Sequence, residues 1–397
     1  MYKNALYLTY DGLNDPLGKS QIVPYLKLIS KNVSRLHIIS FEKKHNYKKK
    51  MFIRENITLH KLNFTSNFGK IGKLWDMLIF FFTAILIIKK NNISIIHARS
   101  HLSAYISFFL KKIYRINYIF DFRGLWLEER LESNSWPNNF FYRFLFNILK
   151  FFEKKVISES KFIIVLTQKF KIELGYLHNV MEKVFVIPCV NNFNPLKPKM
   201  NKIEKNIFKK KLGFPTKNII FCYSGSMGGI YKIETILDNF VYIKKHYSKS
   251  SFLVLTNNYK VINQALKKTK FFSIKQAIKI HTVDWHDLSR YLSIVDIGIS
   301  FIENGYARIA QSPTRISEFL SMGIPVITNE KIGDTDFILK KINGGFLVRK
   351  KNYKFNIIKN IENLLSINSL QLKIKSNYFF SYKVADKKYS LMYKELS

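Results

Sequence analysis

Short apolar runs alternate with amphipathic stretches of helical length along most of the chain. The runs at 5–9, 36–41, 57–62, 93–97, 118–121, 162–166 and 184–187 have the length of strands. Between them, 21–30, 70–90, 102–113 and 142–157 carry the helical period. Strands separated by helices predict a parallel sheet covered on both faces. The rhythm breaks at 191–211, where two prolines and seven lysines stand against one glutamate, a composition that predicts a basic linker. It resumes at 219–223 and continues through 252–256, 278–281, 294–301 and 325–328. The stretches 353–365 and 370–396 read as helix. The expected organisation is α/β: a Rossmann-like, doubly wound domain over 1–190, the linker 191–211, a second such domain over 212–375, and a C-terminal helix, 376–397.

A chain of 397 residues exceeds the size at which one core stops growing, which agrees with two domains. Its 47% hydrophobic residues suffice to fill two cores. Cys189 and Cys222 lie in apolar runs and read as buried free thiols, not as a disulfide scaffold. The first residues run straight into a strand with no basic-then-apolar leader, which predicts a cytoplasmic protein. A net charge of +38 then widens the list of partners, since it attracts nucleic acid or anionic lipid, more weakly as salt rises. Residues 74–88 are the most apolar segment, but they fall short of the roughly 20 residues that span a bilayer and include Asp76. They predict a buried helix of the first domain. The flanking Lys70, Lys73, Lys89 and Lys90 keep a membrane-dipping helix as the second reading.

Doubly wound domains bind ligands beyond the carboxyl ends of their strands, so post-strand residues are the candidates. After the first strand, 10–21 supplies tight turns at Gly12 and Gly18, without the GxGxxG of dinucleotide folds. After the fourth, Ser100 caps a helix with His101 in its first turn. A neutral imidazole at that position suits a sugar hydroxyl, with His101 on the exposed side and His97 in the core. After the fifth, Asp121, Arg123, Glu128 and Glu129 crowd one loop with Trp126. They hold the loop, or bind a polar acceptor with Trp126 offering an apolar face to a sugar ring; an acid/base pair for glycoside hydrolysis is a third reading, which needs a carboxylate separation that sequence does not supply. In the second half, Gly225, Ser226, Gly228 and Gly229 form a loop fit to present N–H groups to phosphate, although the P-loop pattern is missing. Lys232, Arg308 and Arg315 are the cations around it.

The stretch 312–318 is the most informative. Ser312 as N-cap, Pro313 at the first helical position and Arg315 at the third predict an anion-binding helix start. Glu318, one turn on, suits sugar hydroxyls, while Ile316, Phe319 and Leu320 make the buried stripe. The alternative is a solvated Arg–Glu pair on an ordinary capped helix. No HExxH, CxxC or strand-end DxD is present, so no metal ligands are expected.

With YDGLNDPLGKSQ (10–21), IIHARSH (95–101), FDFRGLW (120–126), YSGSMGG (223–229) and above all SPTRISEFLSMGIPVITN (312–329), the chain resembles retaining glycosyltransferase family 4, of bacterial surface-polysaccharide type. The resemblance runs nearly end to end. It implies the GT-B fold, with two Rossmann-like domains facing across a cleft and the last helix returning to the first. The acceptor falls to the N-terminal domain and the nucleotide sugar to the C-terminal one. The implied reaction is metal-independent sugar transfer, with retention, from a nucleotide-sugar donor to a glycan or lipid-linked acceptor in polysaccharide or glycolipid biosynthesis. The donor is a substrate, and no cofactor is expected. The resemblance puts Glu318 on the ribose, Thr314 and Arg315 at the phosphate-binding helix start, Gly18 in the loop facing the donor phosphate, and His101 near the donor sugar.

Together with the loop chemistry, the catalytic candidates are His101, Arg315 and Lys232. The donor-binding candidates are Gly18, Gly225, Ser226, Arg308, Ser312, Thr314 and Glu318, and the acceptor-side candidates Asp121, Arg123, Trp126 and Glu128. Two departures stand out. Many members carry a second glutamate where this chain has Ala310, and Ser226 and Tyr231 stand near the family's arginine and lysine positions. Expected partners are the nucleotide sugar, the acceptor and an anionic membrane surface on the inner face of the cell membrane, with no nucleic acid. The rivals are a nucleotide-sugar epimerase of the same fold and a basic nucleic-acid-binding protein. Against the latter stands the absence of RRM, KH, zinc-finger or helix-turn-helix signatures.

Overall fold

A computed structural model describes residues 3–43, 54–65, 69–191, 200–349 and 353–396, with backbone alone at 70, 71 and 353. They divide into two units, Met1–Pro188 with Lys383–Ser397, and Cys189–Tyr382.

In the first unit the apolar runs become β1 (Asn4–Leu8), β2 (Leu36–Glu42), β3 (Ile57–Asn63), β4 (Ile93–Arg99), β5 (Asn117–Asp121), β6 (Phe162–Val165) and β7 (Val184–Val186). All pair in parallel, in the order β3-β2-β1-β4-β5-β6-β7. Every residue of β2 is buried, as befits a strand covered on both faces. The order reverses beside β1, where Tyr7 pairs with Ile38 on one side and His97 on the other. Connections leave β1 and β4 in opposite directions, which opens a crevice at their carboxyl ends. The last helix, Tyr382–Leu396, returns to this unit. Its Tyr393 hydroxyl lies 3.0 Å from His97 Nδ1, and its Asp386 pairs with Lys31 at 2.8 Å.

The second unit contains β8 (Ile219–Ser224), β9 (Ser250–Leu255), β10 (Ile278–His281), β11 (Ile297–Ser300), β12 (Val326–Asn329) and β13 (Gly345–Val348). They form a parallel sheet in the order β10-β9-β8-β11-β12-β13, reversing between β8 and β11. The two-residue period of β8 builds both cores. Phe221 and Tyr223 pack with Ile236 and Phe240 on one face, and Ile220 and Cys222 with Ile316, Phe319 and Leu320 on the other.

Four local expectations change. The helix expected over 21–30 is two, Pro16–Gln21 and Val23–Ile29, because Pro24 has no N–H to continue a single ladder. Residues 192–199 of the expected linker lie outside the described residues, and Lys202–Lys211 is a helix. Asn201 and Glu204 cap it reciprocally, and Phe208 buries into the second unit's core. The expected helix 370–396 breaks at Ser381, whose backbone is extended. The Gly69–Asn91 helix is not buried all round: Asp76, Phe80, Ala84, Ile87 and Ile88 face inward, while Leu74, Leu78, Phe82 and Leu86 are exposed. Among the described residues no helix is long and apolar enough to cross a membrane.

Candidate functional site

At the second unit's reversal, the loop after β8 approaches the helix Thr314–Ser321 that follows β11. Gly225 has φ +115, and a Cβ there would lie 2.9 Å from Arg315 Nη2, so both backbone and space call for glycine. Arg315 is 7% exposed. Its guanidinium carbon lies 4.4 Å from the Tyr223 ring centre and 4.2 Å from that of Tyr231, a cation held between two aromatic rings. Nη2 reaches toward the Ser226 carbonyl at 3.5 Å, and the Tyr223 hydroxyl donates to the same oxygen. Arg315 Nη1 is buried with no hydrogen-bond partner among the described residues. The loop is pinned further by Met227 N–H donating to Asn258 Oδ1 at 3.1 Å and Glu303 N–H donating to Ile230 O at 2.8 Å.

One turn along, Glu318 is half-buried, and its carboxyl has no hydrogen bond among the described residues. Burial pushes its pKa up to about 7, against the pull of Arg315. Ser312 does not cap this helix, contrary to expectation. The helix begins at Thr314 after Pro313, and Ser312 Oγ instead accepts the Cys189 N–H at 3.2 Å. With Pro313 at the N-cap, the helix start carries no N-cap side-chain hydrogen bond. Thr314 is half-buried, and Arg308 is buried in the turn Tyr306–Ala310. Lys232 is exposed and pairs with Glu303 at 2.5 Å, and Ala310 is fully buried.

The remaining candidates lie in the first unit. Gly18 packs beneath the post-β1 loop: a Cβ there would come 2.1 Å from Gly12 O and 2.6 Å from Leu13 Cα. Glu42 anchors the same loop by accepting the N–H groups of Leu13 (2.7 Å) and Asn14 (3.3 Å). His101 is not on the exposed side of its turn but 1% exposed. Its Nε2 lies 2.8 Å from Glu153 Oε2 on the Phe140–Glu159 helix, which draws the ring inward against Phe122. Burial alone would raise the Glu153 carboxyl, but His101 and Lys150, 2.5 Å away, hold it below its ordinary value. Asp121 is also buried. Burial would raise its pKa too, but Arg123 (3.5 Å), His97 (3.9 Å) and Arg99 (3.6 Å) bring it down to about 2. Glu128 pairs with Lys150 at 2.6 Å, and Trp126 is half-buried with Lys73 and Arg130 over its ring.

Sequence reasoning did not bring Tyr223 and Tyr231 to Arg315, placed Lys73 only as a flank of the apolar segment, and missed Arg99 and Arg130, which line a cavity with Lys73 and Trp126. Tyr223 is the penultimate residue of β8 and Tyr231 follows the glycine loop, but nothing in their spacing announces a ring on each side of a distant arginine. Among the described residues no group of three or more His, Cys, Asp or Glu could hold a metal ion.

No family model and no curated protein matches the chain. Solved structures do match over nearly its whole length. Sucrose-phosphate synthase from Thermosynechococcus elongatus is 13% identical, covering 99% of this chain and 99% of its own, with a TM-score of 0.75. Anabaena HepE in complex with UDP and glucose is 12% identical, with 99% and 100% covered and a TM-score of 0.71. A UDP-N-acetylglucosamine 2-epimerase described as putative, from Listeria monocytogenes, is 11% identical, with 100% and 97% covered and a TM-score of 0.59. At these identities the likeness is one of fold: the chain has the GT-B architecture, with a parallel Rossmann-like sheet in each of two units.

Proposed function

We propose that the chain is a retaining glycosyltransferase of family 4 type, moving a sugar from a nucleotide-sugar donor to a glycan or lipid-linked acceptor. The observation that carries this reading is Arg315, a buried guanidinium fixed between two tyrosine rings beside a glycine loop, with one nitrogen unsatisfied among the described residues. A diphosphate oxygen would satisfy Nη1 and gain the adjacent helix start. Glu318, half-buried and without a hydrogen bond among the described residues, would accept the ribose hydroxyls. In this assignment Gly225, Ser226, Thr314 and Arg315 hold the donor, with Arg308 and Ser312 shaping the surrounding loop and Gly18 supporting the post-β1 loop of the first unit.

As the bond from the anomeric carbon to the diphosphate oxygen breaks, negative charge grows on the leaving group, where Arg315 and the loop amides oppose it. The acceptor oxygen forms the new bond from the same face, and its proton passes to a diphosphate oxygen. Charge balances within the nucleoside diphosphate, and the configuration at carbon is kept. Lys232 adds a second cation when it exchanges Glu303 for the donor. His101 acts through position, since Glu153 already engages its Nε2. Asp121, Arg123, Trp126 and Glu128 belong to the acceptor side, and the exposed apolar face of Gly69–Asn91 with its lysines suits a peripheral position on the inner face of an anionic membrane.

The test is proton NMR of a nucleotide-sugar panel incubated with the chain, with and without extracted bacterial lipids and glycans. A transferase consumes one donor only when acceptor is present, and the product keeps the donor's anomeric configuration. A rearranged sugar nucleotide formed without acceptor would establish the epimerase reading instead.

A further inference from the structure

The first unit has its own reversal point, between β1 and β4, and a cavity of about 630 Å³ lies there. Its lining includes Lys43, Lys73, Arg99 and Arg130 against Asp11 and Asp15. Both acids have partners: Lys43 Nζ is 3.1 Å from Asp15 Oδ2, and Arg99 Nε is 3.7 Å from Asp11 Oδ2. Arg99 is 4% exposed, and its Nε makes no hydrogen bond among the described residues. Lys73 and Arg130 have no salt-bridge partner among the described residues. They lie 5.7 Å and 5.6 Å from the Trp126 ring centre. Burial lowers the proton affinity of Lys73 and the neighbouring Arg130 lowers it further, against the opposing pull of Asp76. Lys43 and Arg99 already face carboxylates, so the positive charge left for an incoming anion is chiefly that of Lys73 and Arg130, which repel each other beside Trp126. Tyr10, also in the lining, is tied to the helix that carries Lys73, because its hydroxyl donates to buried Asp76 at 2.6 Å.

The helix that supplies Lys73 also supplies an apolar stripe. Beginning at the next residue, Leu74, Leu78, Phe82 and Leu86 recur every fourth position and are 68%, 51%, 58% and 58% exposed. We propose that the cavity is a phosphate-binding subsite for the acceptor, in which Lys73, Arg99 and Arg130 hold a phosphate or diphosphate group. The stripe beside it fits a hydrocarbon tail on that group. The word acceptor rests on the transferase reading; the anion site itself does not.

The test uses the full chain carrying Arg315→Ala, so that the donor's own diphosphate site is silent. Titration calorimetry with pyrophosphate should show one site per chain, weakened at least tenfold by Lys73→Ala with Arg130→Ala. A control of equal charge change, Lys154→Ala with Lys155→Ala, should leave binding unchanged. Dodecyl phosphate below its micelle concentration should bind more tightly than pyrophosphate, and Leu78→Asp should remove the excess, which marks a lipid-borne phosphate. Equal affinity for the two probes assigns the same subsite to a soluble phosphorylated acceptor. No binding of either probe, or binding indifferent to Lys73 and Arg130, overturns the proposal. In chains with Arg315 intact, the Lys73/Arg130 variant should still bind nucleoside diphosphate as the unmodified chain does. Failure of the subsite therefore leaves the donor site standing, and loss of nucleoside diphosphate binding from the unmodified chain overturns only the donor reading.

Discussion

Glu318→Gln should stabilise the second unit in a pH-dependent way while weakening donor binding. The Glu318 carboxyl moves from an ordinary 4.5 to about 7 in the folded chain. The folded state thus holds this proton more tightly than the unfolded state, so stability falls as pH rises from 4.5 to 7 and the full cost persists above it. At 1.36 kcal/mol per unit the cost reaches about 3 kcal/mol at pH 8, but only about 1 kcal/mol at pH 5. Glutamine carries no charge to bury, so it should recover most of each amount. The difference of about 2 kcal/mol corresponds to roughly 4–8 °C in a unit of this size. Thermal unfolding of both proteins at pH 5 and pH 8 measures it, with a larger gain in Tm at pH 8. An equal gain at both pH values, or a loss at pH 8, would refute the buried-carboxyl reasoning. The same substitution should weaken the nucleotide sugar by about 1.5–3 kcal/mol, because ribose loses a charged acceptor. A more stable protein with a poorer site is the expected trade-off.

Donor affinity of the unmodified chain should rise as pH passes upward through 7, since the carboxylate must be free to accept; calorimetry in buffers of different ionisation enthalpy should show proton release below that pH. Arg315→Lys should retain only part of the turnover at saturating donor, because a point cation cannot reproduce the planar fork between Tyr223 and Tyr231; full turnover would contradict the clamp. Gly225→Ala should lower nucleoside diphosphate affinity at least tenfold by displacing Arg315, with little change in circular dichroism. Glu153→Ala should cost about 1–3 kcal/mol in urea unfolding, because it leaves the buried His101 Nε2 without its hydrogen bond, while Lys150 keeps Glu128. That contribution should be present above pH 4.5 and fade as pH falls further, since folding holds the Glu153 carboxyl below its free value.

Much of the fold was legible because parallel strands buried on both faces leave continuous apolar runs. The run at 278–281 coincides with β10, and those at 36–41 and 57–62 fall within one residue of β2 and β3. β13 went unread, since Gly345 opens it and its four residues carry no alternation long enough to stand out. The Asn201–Glu204 capping box was a visible signal for the helix Lys202–Lys211, masked by the lysine-rich composition around it. At the candidate site, the helix carrying Arg315 and Glu318 was readable from local spacing, but it starts one residue later than expected and without the Ser312 cap. His101 was misplaced because its orientation depends on Glu153, 52 residues away. The same limit hid the Tyr223–Arg315–Tyr231 stack and the cavity cations, which meet only through the sheet order.

The account rests on a nucleoside diphosphate seated against Arg315 and Glu318, and direct titration tests that most closely. A panel of nucleoside diphosphates should be titrated calorimetrically into the unmodified chain, Arg315→Ala and Glu318→Ala at pH 8 and moderate salt. At least one should bind the unmodified chain with one site, and each substitution should weaken it about tenfold or more. Absence of binding across the panel, or binding of unchanged affinity in both variants, would contradict the donor site and with it the glycosyltransferase assignment.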